Sequence, residues 1–342
     1  MLPPLINEPN LRQWLTEKIG GENAPLEVIR VGDGRSNETF LIKRGKEEYI
    51  LRRPPRGPLP PTAHDVLREW RVLSALYGSA LAVPRPVIAC QDPEVTGAPF
   101  YLMQKVEGYV IRDQIPPIFD NDIARQTISC RLIEMLVTLH SLDFVALGLG
   151  DLGRPEGYLA RQLKRWSGLL EHNQTRSLPD LEYVTAWLER HLPASPSVTI
   201  VHGDYRLDNV IVAPDKPEIV AVLDWEMATL GDPLADLGYT FSFWVDLGEP
   251  LIPYATDMGK ITSQPGFLSK QTAANLYEQL SGRAVANLRF YEVLAIWKLA
   301  ILREGNYKRY LAGTTDNDYY KIYAEAVPHS AKRARQLTES WS

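Results

Sequence analysis

The chain has 342 residues, 45% of them hydrophobic and 23% charged, a globular balance that argues against wholesale disorder. With 37 Lys and Arg against 42 Asp and Glu it carries a net charge of −5, which disfavours a generally basic nucleic-acid binder. Two cysteines, Cys90 and Cys130, cannot build a disulfide framework, and a reduced, cytoplasmic setting fits them. No signal peptide is expected from the first residues. The longest apolar run, Val293 to Leu302, falls short of the roughly 20 residues a bilayer requires, so no membrane contact is expected. The 26 prolines are spread along the chain rather than gathered into a linker.

In chain order, the first hundred residues read as a strand-rich part. Glu27 to Arg30, Glu38 to Arg44 and Glu47 to Arg53 have strand character, the last two joined by a turn at Gly45-Lys46. The stretch Pro54 to Pro61 can be neither helix nor central strand. Ala63 to Tyr77 follows with helical period, Thr62 as its cap and Val66, Trp70, Leu73 and Leu76 on one face. Val83 to Ala89 and Pro99 to Val106 are two further strands, and Gly108 marks a hinge.

The remainder is mostly helical. Asp122 to His140 has a buried stripe of Ile128, Leu132, Met135, Leu136 and Leu139. Leu159 to Leu170, Leu181 to His191 and Asn287 to Arg303 read as further helices, and Ser197 to Val201 and Ile219 to Leu223 as short buried strands. The whole is an α+β chain of two lobes, a small β-rich one over residues 1–106 and a larger, mostly helical one over residues 107–342.

The chemistry concentrates in Thr199-Ile-Val-His-Gly-Asp-Tyr-Arg-Leu-Asp-Asn-Val-Ile-Val212, followed by Val220-Ala-Val-Leu-Asp-Trp225. Asp204, Asn209 and Asp224 thus lie on loops after short strands. Two carboxylates and an amide so spaced suit phosphoryl transfer: one acid orients an attacking hydroxyl, and the amide and the other acid hold Mg²⁺. His202-Gly-Asp204-x-x-x-x-Asn209 with Asp224 resembles the catalytic and metal-binding loops of the aminoglycoside phosphotransferase family, and most closely the subgroup also found fused to some acyl-CoA dehydrogenases. The resemblance covers roughly Leu26 to Tyr310. It implies a protein-kinase-like two-lobe fold, ATP and Mg²⁺ as cofactors, Asp204 as catalytic base, and Asn209 and Asp224 as metal ligands.

The same resemblance assigns nucleotide-binding roles. Gly32-Asp-Gly-Arg-Ser-Asn37 resembles the loop that covers the phosphates, with Gly32, Gly34, Ser36 and Asn37 as its contacts. Arg52 stands where such kinases carry a lysine, and supplies permanent charge through a wider, planar head. Glu69 resembles the acid that anchors this cation; a solvated helix acid is the alternative. Gln104 and Val106 fall where the family binds adenine. Asp236 resembles a buried acid bracing the catalytic loop, His202 an orienting residue, and His140 a hydrogen-bonding core histidine.

Gly203 stands where protein kinases carry the arginine that reads activation-loop phosphorylation, and no Ala-Pro-Glu follows the short segment between Asp224 and Asp236. Constitutive action on a small-molecule hydroxyl is therefore favoured. Gly148-x-Gly150-x-x-Gly153 matches a dinucleotide fingerprint by letters only, with no strand before it. From Thr240 to Ser342 there are 12 Lys and Arg against 10 Asp and Glu, a poor match to a polycationic aminoglycoside. Tyr158, Trp166, Trp187, Phe241, Phe243, Trp244 and Trp297 read mainly as core. The subgroup resemblance implies a hydroxyacyl thioester such as a hydroxyacyl-CoA as acceptor; an aminoglycoside-like antibiotic and choline are alternatives, and Arg52 in place of lysine keeps open a nucleotide-binding pseudokinase. Oligomeric state is not legible.

Overall fold

The computed structural model describes every residue except 1–4, 22–23, 32–36, 57–63, 195–196, 255–257, 315–317 and 340–342. The chain divides into two units, Met1–Gly108 with Val220–Met227, and Tyr109–Ile219 with Ala228–Ser342. The first break falls two residues beyond the expected one. The segment carrying Asp224, which sequence order places in the second lobe, groups with the first unit.

The first unit opens with α1 (Glu8–Ile19), where the Asn7 side chain accepts the Asn10 N–H and Pro9 occupies the first turn. The elements β1 (Leu26–Val31), β2 (Glu38–Arg44), β3 (Glu47–Arg53), α2 (Val66–Leu76), β4 (Pro86–Cys90), α3 (Pro93–Thr96) and β5 (Phe100–Gln104) follow. The strands form one antiparallel sheet in the order β1-β2-β3-β5-β4. Strand alternation sorts its faces. Phe40, Ile42, Leu51, Phe100 and Leu102 share a core with Leu11 and Leu15 of α1. On the other face Tyr101, opposite Arg52 in register, meets Trp70 of α2 with ring centroids 5.7 Å apart.

Helix α2 starts at an Asp65 cap that accepts the Arg68 N–H at 3.0 Å. The Thr62 cap expected from sequence lies outside the described residues. Its buried stripe is Val66, Glu69, Val72, Leu73 and Leu76, so Trp70 flanks the face and Glu69 sits within it.

In the second unit α4 (Asp122–His140) buries Ile128, Leu132, Ile133, Leu136 and Leu139, with Met135 only half-buried. Helices α5 (Tyr158–Asn173) and α6 (Pro179–Arg190) lead to β6 (Thr199–Val201) and β7 (Val210–Val212), and β8 (Ile219–Val222) carries the chain into the first unit. On its return β9 (Thr229–Gly231) pairs antiparallel with β6, Ile200 opposite Leu230. Helices α7 (Leu234–Ser242), α8 (Met258–Thr262), α9 (Lys270–Ser281), α10 (Leu288–Leu311) and α11 (Tyr323–Glu339) complete the chain. The seven aromatic residues singled out above are all buried. Gly148, Gly150 and Gly153 lie in the loop from α4 to α5, without the strand a dinucleotide site needs. Among the described residues no helix is long and apolar enough to cross a membrane.

Candidate active site

In the second unit a carboxylate hub fixes the loop after β6. Asp236, fully buried in the first turn of α7, accepts the backbone N–H of His202 at 2.7 Å and of Gly203 at 2.8 Å. His140 meets the same carboxylate at 3.2 Å and the Tyr277 hydroxyl at 2.8 Å. Burial pushes the His140 imidazole below its usual range, against the pull of Asp236. A neutral histidine between a hydroxyl and a carboxylate braces the hub without adding a charge. Gly203 adopts φ +84°, a conformation that favours glycine and lets two successive N–H groups reach one carboxylate.

The loop so held presents Asp204. Its backbone N–H donates to His202 Nδ1 at 3.2 Å. Asn209 donates through Nδ2 both to the Asp204 carbonyl at 2.8 Å and to its carboxylate Oδ2 at 2.9 Å. The Arg206 Nε lies 3.2 Å from Asp204 Oδ1 and 3.1 Å from Asp208 Oδ1, and its guanidinium stacks over Phe243 at 5.0 Å. Tyr239 of α7 is buried near Asp204; burial first, and then the Asp204 charge, hold its phenol well above its ordinary range. Burial also raises the Asp208 carboxyl, opposed by Arg206.

In the first unit Arg52 is the centre. Its Nε lies 3.4 Å from Glu69 Oε1 and its terminal nitrogen 2.9 Å from Asp224 Oδ1. The Glu69 side chain is 1% exposed and that of Asp224 24%, so one guanidinium ties a buried acid to an accessible one. Burial disfavours the Arg52 charge, but Glu69 and Asp224 hold it firmly protonated. Burial likewise pushes Glu69 upward, countered by Arg52 and by hydrogen bonds from the Tyr101 hydroxyl and the Trp225 N–H. Asp224 has φ +67°. That left-handed conformation is uncommon outside glycine and tolerated by aspartate.

The remaining sequence candidates are placed unevenly. Gly32, Gly34 and Ser36 lie outside the described residues. Asn37 is buried and turned inward, donating to Glu69 at 3.3 Å and to Glu226 at 3.1 Å. Its amide nitrogen is committed to bracing, unlike the phosphate contact expected of it. Gln104 ends β5 with its N–H given to the Arg85 carbonyl at 2.9 Å, and Val106 follows, half-buried. The solvated reading of Glu69 is excluded by its burial. Tyr101, Glu226, Arg206 and Tyr239 are the participants sequence reasoning passes over. Arg206 alone carried a local signal, lying within the Asp204–Asn209 motif.

Each unit offers oxygen donors of the kind a hard divalent cation takes: in the second, both protons of the Asn209 amide are spent on Asp204, which leaves its Oδ1 as an acceptor, and in the first Asp224 presents a partly exposed carboxylate.

A family model described as "Phosphotransferase enzyme family" matches residues 27–262. Acyl-CoA dehydrogenase family member 11 of Rattus norvegicus is 33% identical over 339 residues, covering 96% of this chain and 43% of its own. The chain thus spans less than half the length of that relative. A Ralstonia eutropha protein, whose crystal structure is described as that of a "putative aminoglycoside phosphotransferase", is 29% identical with a TM-score of 0.81, covering 98% of both chains. The GDP complex of aminoglycoside 2'-phosphotransferase-IIIa, 16% identical with a TM-score of 0.64 over 96% and 99% of the two chains, shares the fold. Two lobes, a small antiparallel sheet and a helical part with the Asp204–Asn209 loop, are those of a kinase-like fold. With a family model matching most of its length and a relative of 33% identity matching nearly all of it, the chain belongs to the phosphotransferase enzyme family.

Proposed function

We propose that the protein transfers the terminal phosphoryl group of ATP to the hydroxyl of a small acceptor, with Asp204 as general base. The supporting observation is the Asp204 carboxylate itself, oriented by Asn209 Nδ2 at 2.9 Å on a loop locked by Asp236. Asp204 orients the acceptor hydroxyl and takes its proton as the oxygen bonds to phosphorus and the bond to the departing ADP breaks. Asn209 Oδ1 and the Asp224 carboxylate would hold a Mg²⁺ ion, whose charge would offset that of the phosphate oxygens. Arg52 contributes fixed positive charge, and Glu69 with Tyr101 and Asn37 keeps that charge in place. The backbone at Gln104 and Val106 meets adenine. Alignment and charge neutralisation supply most of the rate.

The acceptor we favour is a hydroxyacyl thioester of the coenzyme A type. Its support is the relative just described, whose name is that of an acyl-CoA dehydrogenase. Phosphorylating such a hydroxyl turns it into a leaving group. The test is phosphoryl transfer measured across hydroxyacyl-CoAs, aminoglycosides, choline and sugars. Replacing Asp204→Asn should cut turnover by about 10³-fold, in the range for a lost general base, with MgATP affinity nearly unchanged. Wild-type turnover in the variant excludes Asp204 as base, and transfer to aminoglycosides alone excludes the thioester.

A further inference from the structure

Outside the catalytic loop the second unit carries a concentration of positive charge that the reaction just described does not use. Arg161, Lys164 and Arg165 follow one another at helical spacing on the exposed face of α5. With Arg154 they line a recess of about 470 Å³ floored by Tyr158 and Thr229. None of these four cations pairs with a carboxylate among the described residues; the one internal bond of the group runs from the Arg161 guanidinium to the Arg154 carbonyl. A fifth cation stands nearby: Lys298 of α10 lies over the Trp166 ring of α5 with its Nζ 5.1 Å from the centroid. Burial lowers its ammonium to about 8, against the pull of Asp236 and with added repulsion from Arg165.

Four unpaired cations around a concave recess, in a chain of net charge −5, cost self-repulsion that a bound polyanion relieves. The recess is also joined to the catalytic loop. The Tyr158 ring rests on Gly231, so closely that a Cβ there would lie 2.6 Å from the ring. Gly231 ends the strand paired with β6, and five residues on is Asp236, which holds the His202 and Gly203 N–H groups. A ligand anchored in the recess therefore leans on the wall that positions Asp204.

We propose that the recess formed by Arg154, Arg161, Lys164 and Arg165 binds the phosphate groups of the acceptor's carrier, so that the enzyme selects a hydroxyl attached to a polyphosphorylated carrier. The proposal rests on the catalytic reading above and extends it to a second site. One carboxylate or one phosphate would leave most of these charges unmatched; a carrier with a diphosphate and a further phosphate would match them. The recess is lined almost wholly by charged and polar side chains, with no exposed apolar cluster to enter a bilayer, so a soluble carrier is favoured over a membrane surface.

The experiment uses the full chain and three probes, coenzyme A, dephospho-coenzyme A and pantetheine, titrated calorimetrically into wild type and into the double variant Arg161→Glu, Arg165→Glu. Wild type should bind coenzyme A about tenfold more tightly than dephospho-coenzyme A, and pantetheine weakest, as charge-assisted contacts are removed in turn. The double variant should bind all three alike, while its circular dichroism and its MgATP affinity stay those of wild type. Equal affinity of wild type for the three probes, or an unchanged preference in the variant, overturns the proposal. So does wild-type capture by vesicles rich in phosphatidylserine without coenzyme A binding. Turnover separates the two readings. If the variant phosphorylates a hydroxyacyl-CoA with wild-type KM, the recess is excluded and the catalytic reading stands. If the charge-dependent binding is found but no hydroxyacyl-CoA is phosphorylated by wild type, the recess stands and the thioester acceptor falls.

Discussion

Arg52 answers to two carboxylates at once, and its loss would be felt differently by each. Asp224, partly exposed, can turn to water; Glu69, 1% exposed, cannot. Arg52→Met should therefore destabilise the protein by about 3–5 kcal/mol at neutral pH, the range for a buried charge left without its partner. Burial already pushes Glu69 upward, and the variant loses the cation that opposes this. A carboxyl raised above its unfolded value contributes stability below that value and loses it as pH rises. The deficit should accordingly shrink as pH falls towards the ordinary carboxyl range, where Glu69 is neutral both folded and unfolded. Urea unfolding between pH 4.5 and 7.5 checks this; a deficit independent of pH would mean that Glu69 is not the group left uncompensated. At this scale the loop from Asp204 to Asn209 was legible because one contiguous stretch carries it, whereas Asp224 comes on a separate segment after β8. Tyr239 and Tyr101 were not legible, because each reaches its acid through space from another element. The side-chain partners of Asn37, Glu69 and Glu226, were not legible, because its neighbours in sequence are glycines and its neighbours in space are acids.

Helices α7 and α10 meet backbone to backbone. A Cβ on Gly238 of α7 would lie 2.5 Å from the Tyr291 carbonyl carbon and 2.8 Å from the Glu292 N of α10. Neither atom can turn aside as a side chain can. Because α7 also carries Asp236 and Tyr239, this contact sets the depth at which the catalytic loop is held. Gly238→Ala should cost about 1–3 kcal/mol through overpacking, despite the better helix propensity of alanine. Gly168→Ala on α5, where nothing lies within 4 Å, should instead stabilise by up to about 1 kcal/mol. Thermal denaturation of the pair distinguishes the two; equal shifts would mean that propensity, not packing, decides at both positions. The long helices were legible where apolar residues recur at helical spacing, as in α4. Helix α1 escapes such reading because Leu11 and Leu15 are its only buried residues, and α11 because Pro328 lies inside it. Glu69 broke the pattern in the opposite sense: an acid on the buried stripe of α2 looks like the edge of an amphipathic face until Arg52 is seen opposite it.

The first unit is not one run of chain. Residues 1–108 make its sheet and the helices α1, α2 and α3, but Val220–Met227 complete it. Val222 donates its N–H to the Ala82 carbonyl at 2.9 Å, the turn at Trp225–Met227 packs on α2, and Asp224 neutralises Arg52. A fragment of residues 1–108 should then lack a cooperative thermal transition, or melt well below the full chain, because Arg52 and Glu69 lose two partners and a Trp is withdrawn from α2. Circular dichroism of the fragment tests this, and a sharp transition at the full chain's midpoint would show the returning segment to be dispensable. Two lobes were legible from the change in composition near residue 106. The return was not, since nothing local to 220–227 says which half its tryptophan enters. That return also sets an order in time. On the ribosome the sheet emerges first, yet the segment that completes it follows only after the roughly 110 residues of Tyr109–Ile219. At about 5–20 residues per second this delay lasts some 5–20 s. For that interval the nascent sheet waits with the Arg52–Glu69 pair open to water, so codon speed and chaperone supply over this stretch will govern how much enzyme a cell recovers.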